Sequence, residues 1–96
     1  MHDRLLHLLL MNWDVQQFKE KLEANHDFPC NYMFKFIVPL KKKEALVDLL
    51  PKVALKIKTS ANNKFISITL SVEMESSDRV INIYNQVYQI EGIIAI

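Results

Sequence analysis

Two stretches of the chain alternate apolar and polar side chains with a period of two, and this alternation constrains the fold more than any other feature. In residues 64–75 one set of positions is aliphatic, while the other is mostly hydroxylated or charged. In residues 32–38 an aromatic set alternates with a set centred on Lys35. Successive side chains of a β-strand point to opposite faces, so both stretches are predicted strands with one buried face.

Three segments have helical spacing instead. The first begins at Asp14, whose capping-box pattern precedes apolar residues at i, i+3 and i+7, and it ends near Asn25. The second spans residues 41–50 and is stopped by proline, although its leading lysines favour a start at residue 43 or 44. The third is capped by Ser76 and its neighbours and repeats apolar residues through 80–87.

Two further strands complete the pattern, at residues 54–59 and 93–96. The first is predicted to be half-buried, with Leu55 and Ile57 facing inward, and the polar residues 60–63 form its hairpin connection. From residue 32 onward the order is strand, helix, strand, strand, helix, strand. This order predicts an α+β fold, a ferredoxin-like βαββαβ sandwich whose four-stranded antiparallel sheet carries two helices on one face.

The 96 residues are enough for one domain of this kind. We predict a ferredoxin-like, ACT-like domain over residues 28–96 and an N-terminal helical extension over residues 1–27. Residues 1–11 fit either a short apolar helix or an unstructured lead-in. They lack the small-residue cleavage site of a signal peptide, and no apolar run reaches the roughly 18 residues of a membrane span.

The charge of the chain is small overall but unevenly distributed. The formal net charge is +1. Residues 41–64 carry +5, residues 1–40 carry −1 and residues 65–96 carry −3. A basic middle attracts an anionic partner, although lysines on an edge strand also serve simply to prevent sheet-to-sheet association. The lone cysteine, Cys30, excludes an internal disulfide and favours a reducing, cytoplasmic location.

The sequence contains no recognisable catalytic, cofactor-binding or metal-binding motif, and we expect the protein not to be an enzyme. His26 and Cys30 are the only imidazole and thiol close in sequence, and with Asp27 they form the best available ligand set. No Cys-x-x-Cys or His-Glu-x-x-His spacing is present, so we expect no metal. A single glycine excludes the glycine-rich nucleotide loops, so we expect no cofactor.

Two runs of residues resemble a known family. Residues 28–37 read Phe-Pro-Cys-Asn-Tyr-Met-Phe-Lys-Phe-Ile, and residues 58–70 contain a lysine, a polar turn, Phe65 and a Ser/Thr-alternating strand. These runs, with Tyr84 and the apolar end of the chain, resemble the YbeD-like proteins, which are small bacterial proteins of unknown function. The chain departs from the pattern of that family at Asn63, where glycine is common. The resemblance covers residues 22–96. It implies a ferredoxin-like domain similar to the amino-acid-binding ACT domains, and a regulatory role.

The helices are expected to cover one face of the sheet and to leave the other open. The candidate interaction face on that side consists of Lys35, Lys56, Lys58, Phe65, Ser67 and Thr69. We expect a protein partner, or self-association, at this face or at a strand edge, with no membrane contact. Three alternatives stay open: a plain solvated face, an ACT-type small-molecule sensor at a subunit interface, and weak nucleic-acid binding through Lys35, Lys56, Lys58 and Phe65.

Overall fold

The computed structural model describes residues 15–96, so the predictions for residues 1–11 and for the cap at Asp14 lie outside the described residues. The described elements, in chain order, are α1 (Val15–Asn25), β1 (Cys30–Pro39), a 3₁₀ turn (Leu40–Lys42), α2 (Lys43–Leu49), β2 (Lys56–Thr59), β3 (Phe65–Met74), α3 (Ser77–Val87) and β4 (Ile94–Ala95). None of the helices within residues 15–96 is long and apolar enough to cross a membrane.

The four strands form one antiparallel sheet in the order β2-β3-β1-β4. The two ten-residue strands β1 and β3 occupy its centre and pair along their whole length, from Cys30 opposite Met74 to Pro39 opposite Phe65. The short strands β2 and β4 lie at the edges. The predicted βαββαβ fold with an additional N-terminal helix is therefore confirmed.

The core lies between the sheet and the helices and is built from the inward-facing sets of the two central strands. Phe34, Phe36 and Val38 of β1 are fully buried, and they lie beside the equally buried Ile66 and Ile68 of β3. Complete burial of a side chain of this size contributes about 1.5–3 kcal/mol relative to exposure. The helices add Leu46, Val80 and Val87, each with no accessible surface.

The N-terminal helix α1 is held against the start of α3 by polar contacts. The Ser77 hydroxyl donates a hydrogen bond of 2.6 Å to the Glu23 carboxylate, and Lys19 lies 3.3 Å from Asp78. The predicted Ser76 cap is also present, since its side chain accepts a hydrogen bond from the backbone N–H of Arg79. Carboxylates at the first turn of a helix stabilise it through the helix dipole.

The hairpin between β2 and β3 depends on side-chain chemistry at its turn. Asn63 has a positive φ of 59°, which asparagine tolerates better than most residues. The Asn62 side-chain oxygen accepts hydrogen bonds from the Ser60 hydroxyl and from the Lys64 backbone N–H. The polar turn was predicted, and this arrangement explains how it closes.

The prediction for β2 was wrong in two respects, its start and its burial. The strand begins at Lys56 rather than at residue 54, and all four of its residues are exposed, including the inward-facing Ile57, of which 42% remains accessible. The helix α2 has seven residues, about 10 Å of length, and it packs mainly on β1 and α3. It is too short to cover the sheet edge formed by β2 as well.

Candidate interaction face

The open face is the side of the sheet opposite the helices, and the strand register fixes which side chains meet on it. Thr69 of β3 lies between Lys35 of β1 and Lys56 of β2. In the adjacent row, Ser67 lies between Ile37 and Lys58. Residues paired across neighbouring strands share a face, so the predicted residues of the sequence analysis come together on one surface.

Lys35, Lys56 and Lys58 form what we call the lysine triangle. Lys56 and Lys58 are two residues apart on one strand, about 7 Å, and Lys35 is two strands from Lys56, about 10 Å. All three side chains are exposed, and none makes a salt bridge within residues 15–96. The triangle therefore presents three positive charges to solvent.

Acidic side chains are sparse on this face. Among the outward positions of the four described strands, only Glu73 carries a carboxylate, and it is four residues from Thr69 along β3, about 13 Å. The two described salt bridges, Lys19–Asp78 and Arg79–Glu75, involve the region around the start of α3. The positive charge of the open face is thus not neutralised locally.

Apolar side chains flank the triangle on the β1 and β4 side. Met33 is 64% exposed, Ile94 pairs with Ile37 on the same face, and Ile96 donates its backbone N–H to the Lys35 carbonyl. Phe65, which is 43% exposed, closes one end of the face at the start of β3. The open face therefore has a basic edge over β2 and an aliphatic half over β1 and β4, which also contains Lys35.

The thiol and imidazole considered in the sequence analysis occupy the opposite side of the molecule. The His26 ring contacts the rings of Phe28 and Tyr32, with centroids 5.9 and 5.1 Å apart, and Cys30 is half-buried at the start of β1. Within residues 15–96 no group of three His, Cys, Asp or Glu side chains is close enough to hold a metal ion. We therefore assign no chemistry to this pair.

An aromatic cluster beneath the sheet was not anticipated. Tyr84 of α3 lies among Phe18, Tyr32, Phe34 and Phe36, with centroid separations of 5.4–6.5 Å. Its hydroxyl is 3.1 Å from the Tyr32 hydroxyl, a hydrogen bond whose two members are 52 residues apart. Burial, and then the hydrogen bond with Tyr32, raise the pKa of Tyr84 far above its ordinary value. The helical spacing of Tyr84 indicated a core position, but no sequence signal links it to Tyr32.

A groove of about 290 Å³ lies at the free edge of β3. Its lining includes Pro51, Ile83, Glu73, Glu75 and Arg79. Strand β2 pairs only with residues 66–69 of β3, so the later residues of β3 have no strand partner on that side. The groove adjoins the acidic end of the sheet and is separate from the lysine triangle.

Comparison with known families places the chain in one of them. A family model described as "Protein of unknown function (DUF493)" matches residues 23–96, which is well over half of the chain. The chain belongs to this family. No curated protein and no solved structure matches it. The matched region of the family includes all four strands, α2, α3 and every residue of the candidate interaction face, whereas most of α1 precedes it.

Proposed function

We propose that the protein is a small non-enzymatic interaction domain that binds a protein partner through its open sheet face. The observation that carries the proposal is the lysine triangle beside exposed aliphatic residues and Phe65, with Lys35 and Phe65 on central strands whose other face is buried in the core. Exposed apolar side chains gathered on one surface are typical of protein contact sites.

The rigidity of the central strands supports this assignment. Lys35 and Thr69 belong to a ladder of ten residue pairs whose inward neighbours Phe34, Phe36 and Ile68 are fully buried. Side chains anchored to such a frame lose little backbone freedom on binding, so a contact made there costs less entropy than one made by a loop. The face is therefore organised before a partner arrives.

The resemblance to YbeD-like and ACT proteins favours a regulatory role for the binding of a partner at the open face. We propose that role, together with a cytoplasmic location.

Nucleic-acid binding has weaker support. Recognition of single-stranded RNA on such sheets depends on several stacking aromatics, whereas the outward positions of the described strands offer Phe65 alone. A solvated face without a partner is the alternative that the experiment must exclude.

The test is affinity capture from the native host with a double variant. The full chain with Lys35→Ala and Phe65→Ala is compared with the wild type as bait, and partners are identified by mass spectrometry. The matched control is Lys21→Ala with Val53→Ala, which removes one exposed lysine and one exposed apolar side chain from α1 and from the loop before β2.

We expect the open-face double variant to lose a specific partner that both the wild type and the control retain. All three proteins should have the same circular dichroism spectrum, because the substituted side chains are exposed. Recovery of the same partners by the open-face variant would refute the proposed function.

A further inference from the structure

The charge and shape of the open face specify the chemistry of its partner more closely, and this step rests on the proposed function. The lysine triangle is uncompensated by any described carboxylate, so a partner with carboxylates over β2 gains attraction without breaking an existing salt bridge. Lys56 and Lys58 are about 7 Å apart along β2, so two of the three positive charges lie at that edge of the sheet. A partner segment that crosses the strands therefore needs its acidic side chains at the end over β2.

The aliphatic half sets the second requirement. The row that runs Lys58, Ser67, Ile37, Ile94 crosses four strands, about 15 Å. An extended polypeptide covers that distance in four to five residues. A segment crossing the sheet along this row would place acidic side chains over β2 and an aliphatic side chain between Ile37 and Ile94.

Two other occupants fit less well. The phosphates of a nucleic acid would pair with the lysines, but its charged backbone would then lie against the apolar side chains of Met33, Ile37 and Ile94. Phe65 is the only aromatic side chain at the outward positions of the described strands on which a base could stack. A second copy of the chain docked face to face would offer the lysine triangle little opposite charge, because Glu73 is the only carboxylate among the outward positions of the described strands.

We propose that the open face binds an extended segment of another protein that crosses the strands, with acidic residues at the end over β2 and an aliphatic residue four to five residues on. The acidic residues lie in the positive field of Lys58 and Lys56, Lys35 adds a positive charge on β1, and the aliphatic side chain packs on Ile37 and Ile94.

The proposal is tested by titrating the isotope-labelled full chain with a defined peptide and following backbone amide shifts by NMR. The probe is the acetylated peptide Glu-Ser-Glu-Ser-Ser-Leu-Ser-Leu, and the control peptides replace both glutamates by glutamine or both leucines by serine. We expect saturable shifts confined to residues 33–37, 56–58, 65–69 and 94–96. Both control peptides should bind more weakly than the probe.

The variant Lys35→Gln, Lys56→Gln, Lys58→Gln should bind the probe about fourfold more weakly, at roughly twofold for each of the two exposed ion pairs that its glutamates can make. A triple variant of lysines outside the open face, Lys19→Gln, Lys21→Gln, Lys52→Gln, removes the same number of charges and should bind it as the wild type does. Binding should also weaken as salt rises from about 0.01 M to 1 M, since the Debye length falls from about 30 to 3 Å.

Each remaining outcome decides against the inference. Equal binding of the glutamine control peptide and the acidic probe refutes the acidic partner. The proposed function would still stand in that case if the Lys35→Ala, Phe65→Ala variant loses a specific partner in the affinity capture. A single-stranded oligonucleotide that shifts the same amides at lower concentration than the peptide would assign the face to nucleic acid. Shifts outside the open face, concentration-dependent dimerisation through it, or no shifts at all would also overturn the inference.

Discussion

The buried tyrosines predict a specific loss of stability in alkali. Burial raises the pKa of Tyr88 to about 12, and the pKa of Tyr84 is raised further by burial and by its hydrogen bond with Tyr32. In the unfolded chain both hydroxyls titrate near their ordinary pKa of about 10. Because the folded pKa values lie above the unfolded ones, the contribution to stability is fully present below about pH 10 and is lost as the pH rises toward the folded values.

The size of the effect follows from linkage. For a tyrosine with a pKa of about 10 unfolded and about 12 folded, the free energy of unfolding at pH 11 is lower by at most about 1.4 kcal/mol than at neutral pH. Solvent screening reduces this for a ring that is partly accessible, as Tyr84 is. We therefore expect the two tyrosines together to remove about 2 kcal/mol at pH 11.

Two phenylalanine variants separate this effect from general alkaline denaturation. At pH 7, Tyr84→Phe should be about 1 kcal/mol less stable than the wild type, since it loses the hydrogen bond to Tyr32. At pH 11 the difference should shrink to near zero, because the variant has no hydroxyl to ionise. The Tyr88 hydroxyl makes no hydrogen bond to residues 15–96, so Tyr88→Phe should match the wild type at pH 7 and exceed its stability at pH 11.

The assay is urea denaturation followed by circular dichroism at pH 7, 9, 10 and 11, with the free energy of unfolding compared at each pH. If the difference between the wild type and Tyr84→Phe is the same at pH 7 and pH 11, the Tyr84 hydroxyl does not become easier to ionise on unfolding. In that case the account of the aromatic cluster is wrong.

Four smaller predictions use the same denaturation measurement at pH 7. Phe36→Ala should lose about 3–5 kcal/mol because it empties a fully buried site, and a loss below 1 kcal/mol would contradict that burial. Ser77→Ala should lose about 1.5 kcal/mol with the hydrogen bond to Glu23, and an unchanged midpoint would show that this bond does not anchor α1. Asn63→Ala should lose about 1 kcal/mol because alanine is strained at positive φ, and equal stability would argue against that backbone geometry. Ile57→Thr should change stability by less than about 0.5 kcal/mol, and a larger loss would mean that β2 is better covered than the structure shows.

The sequence predicts the central strands well and the edge strands less well, for a physical reason. A central strand such as β3 is buried on one face along its whole length, so its side chains must alternate, and the inward set Ile66, Ile68 and Leu70 shows the period directly. Edge strand β2 has the same alternation, yet Ile57 is exposed because its burial depends on the length of α2. The length and placement of a neighbouring helix are tertiary properties, which a period-two pattern does not encode.

Contacts between distant segments are hidden from the sequence for a related reason. The hydrogen bonds between Tyr32 and Tyr84 and between Glu23 and Ser77 join positions more than 50 residues apart. Each residue alone fits its own helix or strand. Only the docking of α3 on β1 and on α1 brings the partners together, so the pairing is visible in the structure and not in the local pattern.

The same alternation that builds the core separates the residues needed for folding from those available for binding. In β3 the even-numbered positions from Ile66 to Leu70 are buried, while Ser67 and Thr69 between them are only half-buried and face the open side. A change at an outward position therefore alters the charge or shape of the open face with little effect on the core.

This independence has a measurable consequence for the lysine triangle. Substituting its three lysines by glutamine should leave the urea midpoint close to that of the wild type while weakening binding of an acidic partner. A large loss of stability in that variant would show that the open face takes part in folding, and a binding defect could then no longer be attributed to lost contacts alone.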